Sequence, residues 1–131
     1  MTMPKIVAVL AGLLASVQVA RAESLTELVR KEEGVDFGPC VLSPKPKLGG
    51  EVVHAVIPAR FDTPGIWVTR TLLLVGVDAQ KNTQATLELK LADDVPPRQV
   101  VSVTCAKDRL SIKLPRKTLA YRWTGTVLRK R

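Results

Sequence analysis

Histidine is almost absent from this sequence, because only His54 occurs among its 131 residues. One histidine excludes every metal site that needs two, and two cysteines are too few for a zinc pattern of cysteines and histidines. No Gly-x-Ser-x-Gly elbow, phosphate-binding loop or dinucleotide fingerprint occurs. We therefore predict a protein that is not an enzyme and that uses neither a metal nor a cofactor, with His54 at the rim of the core or on the wet face of a strand.

Acidic residues form no recognisable catalytic pair. Asp93-Asp94 and Glu32-Glu33 are adjacent in the chain, in loop or helix-end contexts where both carboxylates are usually solvated. A calcium loop needs oxygen ligands at alternate positions and a final glutamate, which the segment after Asp93 lacks. A hydrolase that uses two carboxylates distant in the sequence is the alternative to a non-enzyme.

Aromatic residues are also scarce, at 4% of the chain. A surface that binds nucleic acid usually interleaves basic side chains with exposed aromatic ones, on which the bases stack. Here Tyr121 and Trp123 fall on inward positions of a predicted strand, which leaves Phe61 and Trp67. Nucleic acid is therefore not expected as a partner. Trp67 ends the predicted loop 62–67 and is either a core residue or an exposed hot spot for binding a protein.

Long apolar runs are missing except at the N-terminus. Lys5 is followed by an apolar segment from Ile6 to Val19 and by the small-x-small sequence Ala20-Arg21-Ala22, which is the layout of a secretory signal peptide. The alternative is a membrane anchor, but the uncharged run from Ile6 to Ala20 has 15 residues where a spanning helix needs about 20. We predict that residues 1–22 are a cleaved signal peptide. Residues 23–131 then form one domain without a transmembrane segment, exported to the periplasm or secreted.

Export to an oxidising compartment decides the expected chemistry of the two cysteines. In an oxidising compartment Cys40 and Cys105 are expected to form a disulfide, whereas in the cytosol they would be reactive thiols. The bridge would join residues 65 positions apart. A loop of that length makes a disulfide worth about 4 kcal/mol in the chain-entropy model, a large share of the net stability of a small domain.

The period of the apolar residues changes once along the chain, from that of a helix to that of strands. Ser24 and Glu27 form a capping box at the start of a short predicted helix that ends at Gly34. After Gly34 the apolar residues alternate through segments separated by proline and glycine, which indicates strands. The predicted strands are 35–42, 51–57, 66–77, 84–91, 98–105, 109–114 and 118–128. The sequence therefore predicts an all-β antiparallel sandwich of about seven strands, with a short N-terminal helix and one disulfide.

An immunoglobulin domain would carry further signals, which this sequence lacks. In that family a tryptophan follows the first cysteine closely, and a tyrosine stands two residues before the second. Here Trp67 lies 27 residues beyond Cys40, and Val103 stands two residues before Cys105. We predict an immunoglobulin-like architecture without the family signature, in which the segment 66–77, apolar on both faces, lies centrally in its sheet.

Positive charge is concentrated at the C-terminal end. Residues 107–131 hold nine basic side chains and one acidic side chain, for a net charge of +8. Residues 23–106 hold nine basic and eleven acidic side chains, for a net charge of −2. The positive charge of the predicted mature chain therefore comes entirely from its last 25 residues, a predicted hairpin and tail.

Strand alternation predicts where this charge lies. It directs Arg109, Lys113 and Arg122 outward on two strands that would pair as a hairpin, so their outer faces would form one basic strip. The connection between these strands adds Arg116 and Lys117. The predicted residues for binding a partner or an anion are Arg109, Lys113, Arg116, Lys117 and Arg122.

These features predict an exported, non-enzymatic binding module that docks a protein partner in the periplasm or the extracellular space. It could act as an inhibitor, an immunity factor, an adaptor or an assembly accessory, with the strip supplying electrostatic anchors. The alternative ligand is an anionic polysaccharide or a lipid head group, whose binding would fall steeply as salt rises. A third interpretation assigns the strip no ligand, because basic side chains on an edge strand protect a sheet from aggregation.

Overall fold

Two antiparallel β-sheets make up most of the molecule. A computed structural model describes residues 16–19, 23–59 and 68–131. Its strands are β1 (Ser16–Val19), β2 (Val35–Pro39), β3 (Val52–Ile57), β4 (Thr69–Val77), β5 (Thr83–Val95), β6 (Ser102–Ala106), β7 (Arg109–Lys113), β8 (Thr118–Trp123) and β9 (Leu128–Lys130). The first sheet has the order β1-β5-β4-β3-β2 and the second the order β6-β7-β8-β9. An α-helix, α1 (Leu25–Lys31), and a short 3-10 helix (Pro97–Gln99) complete the described elements, so the all-β prediction is confirmed.

The strand count differs from the predicted seven. Each predicted segment overlaps one strand, but the last, 118–128, is broken by a turn after Trp123. Gly125 has a φ of 103° in this turn, a left-handed value that glycine adopts without strain. The backbone N–H of Val127 also donates to the Thr124 hydroxyl at 3.2 Å. The chain then returns as β9, so the expectation of one uninterrupted last strand was wrong. The other additional strand, β1, lies within the segment predicted to be the signal peptide.

The inner faces of the two sheets share one hydrophobic core. Alternation along β5 buries Ala85, Leu87, Leu89 and Leu91, as predicted. Side chains from both sheets meet there, the largest being Trp123, Tyr121, Ile57, Leu72, Leu74, Leu89, Leu110 and Ile112. Burying a large apolar side chain contributes about 1.5–3 kcal/mol. This shared core packs the two sheets face to face in a sandwich-like arrangement.

The outer face of the first sheet is apolar as well. β4 is the middle strand of that sheet, as its two apolar faces predict. Leu72 and Leu74 lie in the shared core, whereas Leu73 and Val75 belong to a second cluster on the opposite face. β3 adds Val56 to this second cluster. A sheet that is apolar on both faces needs a cover on each side.

Helix α1 provides the cover on the outer face. Its capping box is present as predicted, because the Glu27 N–H donates to Ser24 Oγ at 3.1 Å and the Ser24 N–H donates to Glu27 Oε1 at 3.0 Å. Leu25 and Leu28 are buried in the second cluster. A helix of 7 residues is too short to be stable alone, so its packing on the sheet holds it.

The predicted disulfide is confirmed and closes one edge of the sandwich. Cys40 follows β2 and Cys105 lies in β6, and these are edge strands of the two sheets. Their Cα atoms are 5.0 Å apart. The covalent link therefore fixes one sheet to the other where their outermost strands meet.

The N-terminal segment contributes a strand to the first sheet. β1 pairs antiparallel with residues 85–88 of β5, although the sequence assigns residues 1–22 to a signal peptide. The assignment of that segment as a cleaved leader stays a prediction. Among the described residues, no helix is long and apolar enough to cross a membrane.

Candidate binding face on the second sheet

The outer face of the second sheet differs in chemistry from that of the first. Along β7, Leu110 and Ile112 are buried, whereas the residues between and beside them point outward and are exposed or half-exposed. The same alternation runs along β8 and into β9. The outward residues of these three strands, which we call the basic face, are Arg109, Ser111, Lys113, Thr118, Ala120, Arg122 and Arg129. The described α-helix packs on the other sheet and leaves this face open to solvent.

Three arginines form a row across the basic face. Strand pairing sets Arg109 directly opposite Arg122 and sets Arg122 directly opposite Arg129, and all three are exposed. Neighbouring strands lie about 5 Å apart, so the Cα atoms of the row are spaced at about this interval. Like charges in directly opposite positions destabilise a sheet. The row therefore costs stability that an uncharged face would retain.

The acidic side chain of Asp108 lies beside the row. Asp108 Oδ2 is 3.4 Å from Arg122 Nε, and the two side chains are 41% and 68% exposed. An ion pair that exposed contributes between about 0 and 1 kcal/mol. It therefore offsets the repulsion within the row only in part.

The other predicted basic residues lie at the far end of the same strands. Lys113 ends β7 opposite Thr118, and Arg116 and Lys117 lie in the connection to β8. Lys113 lies four positions beyond Arg109 along β7, a distance of about 13 Å. The side chains between them are small and uncharged, because Ser111 pairs with Ala120 there. The predicted continuous strip is thus two basic clusters with a flat gap between them.

Arg129 is the residue of the row that the sequence analysis did not select. Its alignment with Arg122 depends on β9, a strand that the sequence does not predict, so the sequence places Arg129 in a tail. The signal that could have identified it is the Thr124-Gly125 pair, a turn signal within an alternating segment.

The strand order argues against the interpretation that these basic side chains protect a sheet edge. Arg109, Lys113 and Arg122 lie on β7 and β8, which are the two inner strands of the second sheet.

A groove borders the arginine row at the end of β8. It has a volume of about 620 Å³ and is lined by Ser43, Pro44, Lys107, Asp108, Arg122, Trp123 and Thr124. The Trp123 indole N–H donates to the Pro44 carbonyl at 2.6 Å, and the Ser43 N–H donates to the Lys107 carbonyl at 2.7 Å. These bonds fix the loop before β3 against the end of the second sheet. The groove therefore adds a shaped, mixed-charge boundary to an otherwise flat face.

A cluster of Asp93, Tyr121 and Lys130 closes the edge of the sandwich opposite the disulfide. The Tyr121 hydroxyl donates to Asp93 Oδ2 at 2.7 Å, and the Lys130 ammonium donates to Asp93 Oδ1 at 2.7 Å. The hydrogen bonds from Lys130 and Tyr121 hold the pKa of Asp93 below its ordinary value. Burial, and next the bond to Asp93, raise the pKa of Tyr121. Lys130 is thus paired with an acid, and Asp93 is not the solvated carboxylate that the sequence analysis expected.

The remaining sequence candidates lie away from the basic face. His54 is 7% exposed, and its Nδ1 is 3.1 Å from Asp36 Oδ1 on the edge strand β2. Trp67 falls outside the described residues. Within the part of the chain that the structure describes, no group of three or more histidine, cysteine, aspartate or glutamate side chains is placed to hold a metal ion.

Comparison of the chain with known proteins finds no matching family model, no matching curated protein and no matching solved structure.

Proposed function

We propose that this chain is an exported, non-enzymatic binding module that docks an acidic surface of a protein partner onto its basic face. The partner would be met in the periplasm or the extracellular space, where the module would serve as an inhibitor, an immunity factor, an adaptor or an assembly accessory. The observation that carries the proposal is the row of Arg109, Arg122 and Arg129 on an open sheet face.

The row is better explained by a contact than by folding. Directly opposed arginines repel one another, and the neighbouring Asp108 is too exposed to compensate fully. An acidic partner would remove this repulsion, because a guanidinium group binds a carboxylate through two parallel hydrogen bonds. Two of the three arginines, Arg109 and Arg122, lie on inner strands, where edge protection does not account for them, so the repulsive row supports a role in binding.

The shape of the face supports a protein partner. Ser111 and Ala120 keep the centre flat between the two basic clusters, so another surface can approach closely. Affinity for a protein needs apolar contact as well as charge, since charges at the rim act mainly on the association rate. The groove beside Arg122, with the exposed Pro44 in its lining, offers such a contact at one end.

Export is supported by the disulfide. Disulfides persist in oxidising compartments and are rare in the cytosol. The bridge between Cys40 and Cys105 therefore agrees with the leader-like sequence of residues 1–22.

The test uses immobilised oxidised protein and envelope extract from the source organism, at low and at physiological salt. The triple variant Arg109→Gln, Arg122→Gln, Arg129→Gln removes the row, and Lys47→Gln, Lys81→Gln, Lys90→Gln removes the same charge from exposed positions elsewhere. We expect the control variant to retain one specific protein from the extract. The row variant should retain at least about tenfold less of that protein. Equal retention by the two variants would refute docking through the basic face.

The alternative function is binding of an anionic polysaccharide or of lipid head groups through the same strands. The two basic clusters, about 13 Å apart along β7, favour it because a polymer presents anionic groups at repeated intervals. Dextran sulfate and anionic lipid vesicles are the probes. Strong binding that falls steeply with salt and is lost in the row variant would establish this alternative in place of a protein partner.

A further inference from the structure

The free edge of the first sheet is covered by residues that the sequence assigns to the leader. β1 pairs antiparallel with β5 over four residues, with Val17 opposite Leu87 and Val19 opposite Ala85. Val17 is 55% exposed, whereas Leu87 and Ala85 are buried while β1 is present. Removal of residues 1–22 would therefore take from β5 its outer neighbour and uncover part of its apolar face.

The chain that follows the predicted cleavage point covers the start of β5. The Glu23 carbonyl accepts hydrogen bonds from the Thr83 N–H at 2.8 Å and from the Thr83 hydroxyl at 3.0 Å. The Leu25 N–H donates to the Lys81 carbonyl at 2.9 Å. None of these three bonds involves residues 1–22. Cleavage before Glu23 would leave this end of the edge closed.

The far end of β5 is also occupied. Asp93 reaches Lys130 of β9 and Tyr121 of β8, which ties that end of the strand to the second sheet. The edge uncovered by cleavage is therefore a window in the first half of β5, formed by residues 85–88. Four residues of an extended strand span about 13 Å.

We infer that this window, Ala85–Glu88, is an acceptor site for an extended segment of a protein partner, opened when the leader is removed. An uncovered edge strand presents unpaired N–H and C=O groups, which an added strand satisfies by backbone pairing. The segment that occupies the window in this structure, Ser16–Val19, shows the chemistry that fits: no proline, and β-branched residues at the alternate positions opposite Ala85 and Leu87. The inference rests on the proposed export, since the window exists only after cleavage.

A strand in this window would leave the basic face free. β5 belongs to the first sheet, whereas the arginine row lies on the outer face of the second. One partner could therefore dock an acidic surface on the basic face and add a strand to β5. Backbone pairing would supply the affinity that exposed charges do not.

The experiment begins with the full chain, expressed for export and purified from the exported fraction in its oxidised form. The mass of the purified protein identifies its first residue. The probe is a blocked synthetic peptide with the sequence of residues 14–21, LASVQVAR. The control peptide carries Val17→Pro and Gln18→Pro, because consecutive residues of a strand point their N–H groups to opposite sides and one of the two must face β5. Amide hydrogen exchange of residues 85–88 is measured with and without each peptide.

We expect a product that begins at Glu23, in which the first peptide slows exchange of the edge amides at least about tenfold and the proline peptide does not. Equal behaviour of the two peptides would overturn the inference, as would an exported product that keeps Ser16–Val19. A dimer whose window is protected without peptide would replace the partner by a second copy and also overturn it. The row variant should bind the peptide normally, so failure here and failure of the basic face are separable.

Discussion

The two outer faces of this small domain differ in what covers them and in the charge they carry. The outer face of the first sheet is apolar, with Val56, Leu73 and Val75 buried beneath helix α1. The outer face of the second sheet is open, with small uncharged residues at its centre and arginines in a row. Both sheets share one inner core, so the difference lies in what covers each outer face. The covered face therefore contributes to stability, whereas the open face keeps charges that stability alone does not explain.

The largest expected effect comes from the covered face. Leu28→Ala removes a buried side chain from the cluster between α1 and the first sheet, and we expect it to lower the free energy of unfolding by about 3 kcal/mol. Urea denaturation at neutral pH measures the change. The control is Thr26→Ala, an exposed position on the same helix, for which we expect a change within about 0.5 kcal/mol. Equal effects of the two substitutions would mean that the helix does not cover this face in solution.

An intermediate effect is expected at Asp93, which ties β9 and the open face to β5. Asp93→Ala leaves the buried Tyr121 hydroxyl without its acceptor and releases Lys130. Water can reach this edge in part, because the Asp93 side chain is 18% exposed. We therefore expect the free energy of unfolding at neutral pH to fall by about 1 kcal/mol. Leu119→Ala, on the core side of β8, would by contrast lower the free energy of unfolding by about 3 kcal/mol.

The pH dependence of stability tests the same cluster. The pKa of Asp93 lies below its ordinary value of 3.8 in the folded protein, so its contribution to stability is complete above that value. As the pH falls below 3.8, the unfolded chain binds the proton first, and the contribution disappears as the pH passes the lowered pKa of the folded state. The stability of the Asp93→Ala variant should therefore fall less steeply in this acidic range, in urea titrations at several pH values. Parallel curves for the two proteins would contradict the bonds at Asp93.

Local patterns in the sequence predict the elements that depend on neighbouring residues. The capping box at Ser24, the alternation along β5 and the strand with two apolar faces, β4, are all confirmed. The disulfide could also be predicted, because the leader-like segment implies an oxidising compartment and the chain has only two cysteines. Each of these inferences needs only a short stretch of chain or a simple count.

Contacts between distant strands could not be predicted in the same way. The alignment of Arg129 with Arg122 follows from a single turn at Gly125, and the acceptor for Tyr121 is Asp93, 28 residues away in the other sheet. Alternation assigns a residue to a face, but it does not give the register or the order of strands. The basic residues were therefore predicted to point outward, whereas the row they form depends on a pairing that no periodicity encodes.

The smallest expected effect on stability comes from the open face itself. Arg129→Thr removes one end of the arginine row, keeps the pair between Asp108 and Arg122, and places a β-branched residue on an exposed strand. Loss of the repulsion should leave the free energy of unfolding unchanged or raise it by up to about 0.5 kcal/mol in urea denaturation. Ser111→Thr, an equally β-branched change on the same face but away from the row, controls for strand propensity. If Arg129→Thr instead lowered stability by more than about 1 kcal/mol, the arginine would have a structural role and the contrast between the two faces would fail. If stability is kept while partner retention falls, the open face carries its charge for the partner.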